Sequence, residues 1–327
     1  MSIKSLVIIG SLALCSVSSG QTETSIGGPT LGYALDPSVH ALRPILGIAG
    51  ASVLGDSLDS GFAIRDAVID GPRGYALAID SASRAAWLIR PNQSTPAAQI
   101  PVAGEVAAVY LSPQASAAAL QMQDGRIEVV TGLSTAAFVV TDLPTGQRLN
   151  RRPQALAVSD DGNFVVAAFD ETQALLLGLD GTRAPLAIGR TTALAFRPSS
   201  SDILGAGPGN RVWLIKQSPT GPILKQIAGA GDGISTPAAV TFAPSGTSAL
   251  IANSGNATIV AVDLAAGVVS STGCGCNPVR FERLTTGGLF RLNDPSDQPM
   301  YLFDAASSRA LFVPPLPTAN QPQGQQN

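Results

Sequence analysis

The sequence predicts an all-β fold, and three observations carry this prediction. Apolar runs of about four to seven residues alternate with turns rich in Gly, Pro, Asp and Asn along the whole chain. Charged residues make up only 13% of the 327 residues, too few to solvate one face of many surface helices. The same pattern of three runs also returns at a regular spacing, which indicates a repeat architecture.

The repeat is clearest at residues 242–264, FAPSGTSALIANSGNATIVAVDL, where two turns separate three apolar runs. Comparable units start near Ala67, Val109, Leu156, Leu194, Val240 and Phe281. Their first runs end at Asp70, Ser112, Ser159, Arg197, Ala243 and Leu284, at intervals of 42, 47, 38, 46 and 41 residues. We therefore expect inner strands at 66–70, 107–112, 155–159, 193–197, 239–243 and 279–284.

A fourth short run closes each unit, for example at Gln99–Val102 and Ile223–Ile227. Four strands every 40-odd residues is the period of a β-propeller, whose twisted sheets stack radially and cover each other's faces. The sequence predicts a single domain over residues 21–315 with seven four-stranded blades, six being the alternative. The seventh unit is partial: the hairpin from Leu31 resembles the third-to-fourth-strand hairpin from Tyr301, and no inner strand is recognisable. We expect strands from both chain ends to complete that blade and close the ring.

Both chain ends differ from the repeats. Residues 1–20 combine Lys4, an apolar stretch over Leu6–Leu14 and small residues before Gln21, the layout of a secretory signal peptide. Residues 316–327 are rich in Pro, Gln and Asn and are predicted to be a disordered tail. The expected location is secreted or periplasmic, with no membrane span after signal cleavage.

The unit at residues 240–269 resembles the YVTN-type repeat of bacterial extracytoplasmic propellers. Asn253 stands where that repeat ends its second strand with Asn, and Asp263 stands at its aspartate position. The resemblance implies a secreted or periplasmic seven-bladed propeller of a family that consists mostly of binding and surface proteins. The motif residues are structural, so the resemblance transfers no site.

Few residues have the character of catalytic groups. His40 is the only histidine and lies in a predicted hairpin turn without a nucleophile signature, so it is interpreted as a turn residue. Asp160, Asp161, Asp294 and Asp297 lack the spacing of a calcium loop and are interpreted as turn formers. The sequence predicts no catalytic residue, no metal ligand and no cofactor. Ten arginines, including Arg280 and Arg291, lie near strand ends; they are interpreted as solvating those ends, with an anionic ligand at one channel mouth as the alternative.

Cys274 and Cys276 would be the only thiols left after signal cleavage, and they flank Gly275 in a connection between two units. A disulfide is expected in an exported protein, and Gly275 can adopt the backbone angles that a bridge between i and i+2 requires. A redox-active bridge, a metal shared between two copies and free thiols are the alternatives.

These features favour a monomeric, non-catalytic binding scaffold whose partner is a protein, a glycan or a cell-surface component. Nucleic acid is not expected as a partner, because the formal net charge is −3 and no basic cluster is present. The alternative is a lactonase-like or quinone-dependent propeller enzyme, whose site would lie in the central channel.

Export can be tested on its own. We expect N-terminal sequencing of the native protein to begin near Gln21, because the small residues at 16–20 suit signal cleavage. Material from the periplasm or medium that still begins at Met1 would contradict this prediction.

Overall fold

The computed structural model describes residues 28–93, 95–144, 153–169, 174–218 and 221–316. The predicted signal peptide, and all of the predicted tail except Leu316, lie outside these ranges. Within them the chain forms a β-propeller of seven antiparallel sheets, with a single 3-10 turn at Ala230–Asp232. No helix in these ranges is long and apolar enough to cross a membrane. The predicted fold class is confirmed.

The sheets, called blades 1–7 in chain order, each join their strands in the order of the sequence. Blade 1 has β1 (Thr30–Asp36), β2 (Ala41–Ile48) and β3 (Ala51–Leu54); blade 2 has β4 (Ile64–Asp70), β5 (Tyr75–Asp80), β6 (Ala86–Ile89) and β7 (Ala98–Gln99). Blade 3 has β8 (Val106–Leu111), β9 (Ala117–Met122), β10 (Ile127–Thr131) and β11 (Val139–Asp142); blade 4 has β12 (Ala155–Val158), β13 (Phe164–Ala168), β14 (Ala174–Gly178) and β15 (Arg183–Leu186). Blade 5 has β16 (Ala193–Phe196), β17 (Ile203–Gly207), β18 (Arg211–Lys216) and β19 (Ile223–Ala228). Blade 6 has β20 (Pro237–Phe242), β21 (Ser248–Asn253), β22 (Thr258–Asp263) and β23 (Val269–Gly273); blade 7 has β24 (Glu282–Arg283), β25 (Leu289–Arg291), β26 (Met300–Asp304) and β27 (Arg309–Val313).

The period of two along each strand explains how the blades stack. In β9, Ala118, Leu120 and Met122 pack against blade 2, whereas Ala117 and Ala119 pack against blade 4. All five side chains are almost fully buried. Both faces of a middle strand are therefore apolar, and each buried side chain of Leu or Met size stabilises the disc by about 1.5–3 kcal/mol. Stability comes from sheet faces packed against neighbouring sheets.

Blade 1 has no inner strand in the described residues. Its β1 takes the second-strand position, between blades 7 and 2: Tyr33 and Leu35 pack on blade 2, while Ala34 packs on blade 7. Its β3 lies against β27, the outer strand of blade 7. The missing inner strand agrees with the prediction of an irregular seventh unit, and four strands per blade hold for the other six.

Two expectations about blade 1 are wrong for the described residues. All three of its strands come from the N-terminal segment, so no sheet mixes strands from the two chain ends. The hairpin from Leu31 also takes the second-to-third-strand position, not the third-to-fourth. The physical reason is a shared turn: the fourth residue after an Asp has a left-handed φ both in second-to-third hairpins (His40, 54°; Arg84, 58°) and in the third-to-fourth hairpin of blade 7 (Ser308, 53°). Sequence alone does not separate the two hairpin types.

The ring of inner strands closes directly between β24 and β4. The Gly71 N–H donates to the carbonyl of Arg283 at 3.1 Å, just after β4 ends. A Cβ on Gly71 would overlap the carbonyl of Leu284, whereas a Cβ on Gly209, also in a turn, would meet nothing within 4 Å. Only glycine allows the two turns to approach this closely.

Substitution Gly71→Ala tests this closure. We expect it to lower the free energy of unfolding by about 1–3 kcal/mol, because the added methyl forces backbone apart at a packed contact. Chemical denaturation is the measurement, with Gly209→Ala as the matched control that leaves stability nearly unchanged. Equal denaturation midpoints for the two variants would contradict closure at Gly71.

Candidate functional site

The candidate site is the central channel. Each inner strand pairs with another strand on one side only, so the other edges of β4, β8, β12, β16, β20 and β24 form the channel wall. The cavity has a volume of about 310 Å³. Its lining residues are mostly apolar; Val68, Ala195 and Phe281 are partly exposed, whereas Phe196, Phe242 and Phe290 are nearly fully buried between blades.

One corner of the channel is charged, at the junction of blades 7 and 2. Arg291 is fully buried there, and its guanidinium makes two contacts with Glu282 Oε2, the Nε one at 2.6 Å. Its Nη1 donates to Asp294 Oδ1 at 2.5 Å, and Arg280 Nη2 donates to the other Asp294 oxygen at 2.7 Å. The interpretation of Arg291 as a solvated strand-end residue is wrong: it is the buried cation of an ion-pair network.

Glu282 links the two inner strands that meet at this junction. Its Oε1 accepts a hydrogen bond from the N–H of Ile69 at 2.7 Å, on β4. The Glu282 carboxylate therefore accepts hydrogen bonds from the edge of β4 and from Arg291 at the same time.

A second ion pair spans the same junction. Arg283 Nη2 donates to Asp70 Oδ1 at 3.2 Å, and the N–H of Arg73 donates to Oδ2 at 2.9 Å. Burial raises the pKa of Asp70, and the charge of Arg283 opposes this rise without cancelling it. Among the described side chains, the buried Nε atoms of Arg280 and Arg283 have no hydrogen-bond partner.

The turns between first and second strands surround one mouth of the channel. We call this surface the turn face: residues 71–74, 112–116, 159–163, 197–202, 243–247 and 284–288. Asp160 links three blades there, because its carboxylate accepts from the N–H of Gln114 at 2.7 Å and of Ser199 at 2.8 Å. Arg73 Nε in turn donates to the Gln114 carbonyl at 3.0 Å, which adds blade 2. Asp160 is thus more than the turn former that the sequence suggested.

The other predicted turn residues are where the sequence placed them. Asp161 accepts from the Ser159 hydroxyl and the N–H of Asn163 within its own turn. Asp297 is exposed in the β25–β26 connection. His40 is exposed in the β1–β2 turn, where its carbonyl accepts from the N–H of Ile64 at 2.7 Å. Asp294 differs, since it also joins the buried network of Arg291.

Cys274 and Cys276 form a disulfide in the structure, with Cα atoms 5.2 Å apart, and the intervening Gly275 has a left-handed φ of 65°. Cys274 is nevertheless not a free loop residue. It is 4% exposed and packs with Phe290 and Phe303 between blades 6 and 7. The predicted connection between two units is therefore part of the packed core at Cys274, whose N–H continues the ladder to the Ala257 carbonyl at 3.0 Å. Its oxidation state in solution stays a prediction.

Sequence reasoning missed the charged corner as a unit. The signal that could have found it is the inner strand itself: residues 280–283 read RFER, whereas the last four residues of β8, β12, β16 and β20 are uncharged. Within the described ranges, no group of three or more His, Cys, Asp or Glu side chains is arranged to hold a metal ion. The corner can hold charge and donate hydrogen bonds.

No protein-family model matches this chain, and no curated protein matches it by sequence. Solved structures do match it. One is a functionally unknown protein from Desulfotomaculum acetoxidans DSM 771, with 12% identity, a TM-score of 0.55, and coverage of 87% of this chain and 99% of that chain. Apo AztD from Citrobacter koseri has 12% identity, a TM-score of 0.56 and coverage of 87% and 94%. The propeller domain of Myceliophteria thermophila Cps50 (Swd1) has 12% identity, a TM-score of 0.54 and coverage of 87% and 96%. At these identities the similarity shows the fold alone.

The buried network predicts a specific pattern of stability. Arg291→Met should lower the free energy of unfolding by about 3–5 kcal/mol, because it leaves the Glu282 carboxylate buried without its cation. Adding Glu282→Gln should recover part of that loss, since the uncompensated charge is then removed. Denaturation of the single and double variants measures both effects, and Arg309→Met, an exposed position in the same blade, is the control. A double variant that loses the sum of the two single effects would contradict the pairing.

Proposed function

We propose that the protein is an exported, non-catalytic propeller of the YVTN type that binds a macromolecular partner through its turn face. The observation that carries this proposal is the linkage of that face. Hydrogen bonds through Arg73, Gln114, Asp160 and Ser199 connect blades 2, 3, 4 and 5 around the channel mouth.

A linked face has a thermodynamic advantage in recognition. Surfaces that are rigid before binding lose less conformational entropy when the complex forms. Pro113, Pro198 and Pro244 also lie at this mouth, and the ring of each proline fixes one backbone φ angle of its turn. The turn face is therefore suited to present a preorganised surface to a protein or a glycan.

Site-specific photo-crosslinking tests the proposal. A photoreactive amino acid at Ser245, which is exposed on the turn face, should give an adduct when the full-length protein is produced in its organism of origin. The same amino acid at Ile223, which is 57% exposed on the outer strand of blade 5, is the matched control and should give none. Adducts of equal yield at both positions, or none at Ser245, would contradict recognition by the turn face.

A further inference from the structure

We propose that the Cys274–Cys276 bridge is a thiol–disulfide exchange site that accepts two electrons from a dithiol, with Cys276 as the sulfur that is attacked. The bridge lies in the connection between β23 and β24, outside the turn face. The inference therefore goes beyond the function proposed above and does not depend on it. It starts from the different surroundings of the two cysteines.

The two cysteines differ in burial. Cys274 is 4% exposed and packs among core side chains between blades 6 and 7, whereas Cys276 is partly exposed. The neighbours of Cys276 in the chain, Gly275 and Asn277, are both exposed. Exchange requires access to the sulfur that is attacked, so a thiol in solution reaches the bridge from the side of Cys276.

The backbone hydrogen bonds of the blades do not depend on the bridge. The N–H of Cys274 donates to the Ala257 carbonyl at 3.0 Å; in the described part of the chain, the next N–H that donates to a backbone carbonyl is that of Val279, to Leu292 at 3.0 Å. The bridge has a sequence separation of only 2, and so short a loop constrains the unfolded chain little. Opening it therefore leaves Cys274 and both flanking hydrogen bonds in place.

The sulfur that leaves has hydrogen-bond partners close to it. The N–H of Cys276 donates to Cys274 Sγ at 3.2 Å, and a donor in this position favours a thiolate. The Cys276 carbonyl oxygen lies 3.1 Å from the same sulfur and can accept a hydrogen bond from the thiol that forms when the thiolate is protonated. Cys274 is therefore suited to be the leaving group.

Exchange with a dithiol takes two steps. One thiolate of the dithiol attacks Cys276 Sγ, the S–S bond of the protein breaks, and Cys274 leaves as a thiolate that takes up a proton. The second thiolate of the dithiol then attacks the dithiol's own sulfur in the mixed disulfide and releases Cys276. Two electrons and two protons pass to the protein, which gains two thiols, and the dithiol becomes an intramolecular disulfide.

Reduction of the folded protein tests the exchange. The full-length chain carries Cys15→Ser, so that Cys274 and Cys276 are its only cysteines. We expect dithiothreitol to open the bridge without denaturant, at a rate within about 10-fold of that in the unfolded chain, because Cys276 is accessible in the fold. Alkylation followed by mass spectrometry counts the thiols, and circular dichroism follows the fold. A bridge that opens only after the protein unfolds would overturn the proposal.

Single-cysteine variants identify the attacked sulfur. In the same background, Cys274→Ala leaves the Cys276 thiol and Cys276→Ala leaves the Cys274 thiol, and each reacts with dithiodipyridine. We expect the Cys276 thiol to react about 10-fold faster or more, because Cys274 is 4% exposed. If either variant fails to fold, the mixed disulfide that glutathione forms with the unsubstituted pair decides, and fragment masses should place it on Cys276. A Cys274 thiol that reacts as fast, or glutathione on Cys274, would overturn the proposal.

Discussion

Closure of the inner strands is the constraint on which the rest of the structure depends. Seven sheets stand around the axis, but only six of them contribute a strand to the channel in the described residues. The ring must therefore close by direct approach of β24 and β4, and a glycine at position 71 makes that approach sterically allowed. Blade 1 then fits behind the junction, where Leu284 packs against Ala34 and Ile45.

The charged corner lies at the same junction. Where β24 meets β4, Glu282 accepts a hydrogen bond from the edge N–H of Ile69. A buried carboxylate requires a cation, which Arg291 supplies, and the remaining donors of Arg291 require Asp294. The junction of blades 7 and 2 thus contains a chain of buried charges, and Arg280 and Arg283 line the cavity beside it.

Much of this architecture could be predicted from the sequence, because the signals are local. Five inner strands end in apolar stretches followed by Pro, Gly or Asp turns, and their predicted bounds agree with the structure to within a few residues. The charges of residues 280–283 are visible in the sequence, but their contacts with Ile69 and Asp70 could not be predicted, because these depend on which two blades meet across more than 200 residues of chain. The position of blade 1 was also beyond local reasoning, since the turns after Asp36 and Asp304 have the same backbone form. The bridging role of Asp160 likewise depends on two other blades.

The absence of a sheet shared between the two chain ends has a thermal consequence. Blades 7 and 1 cohere through side chains such as Met300, Leu302 and Ile45, without a β-ladder between them in the described residues. Apolar cohesion is largely entropic near room temperature and weakens on cooling, whereas a ladder of backbone hydrogen bonds has no such dependence. The contact between blades 7 and 1 is therefore stabilised by the same apolar packing as the other contacts between blades. Cooling should therefore weaken the contact between blades 7 and 1 more than it would weaken a closure in which strands from both chain ends share one sheet.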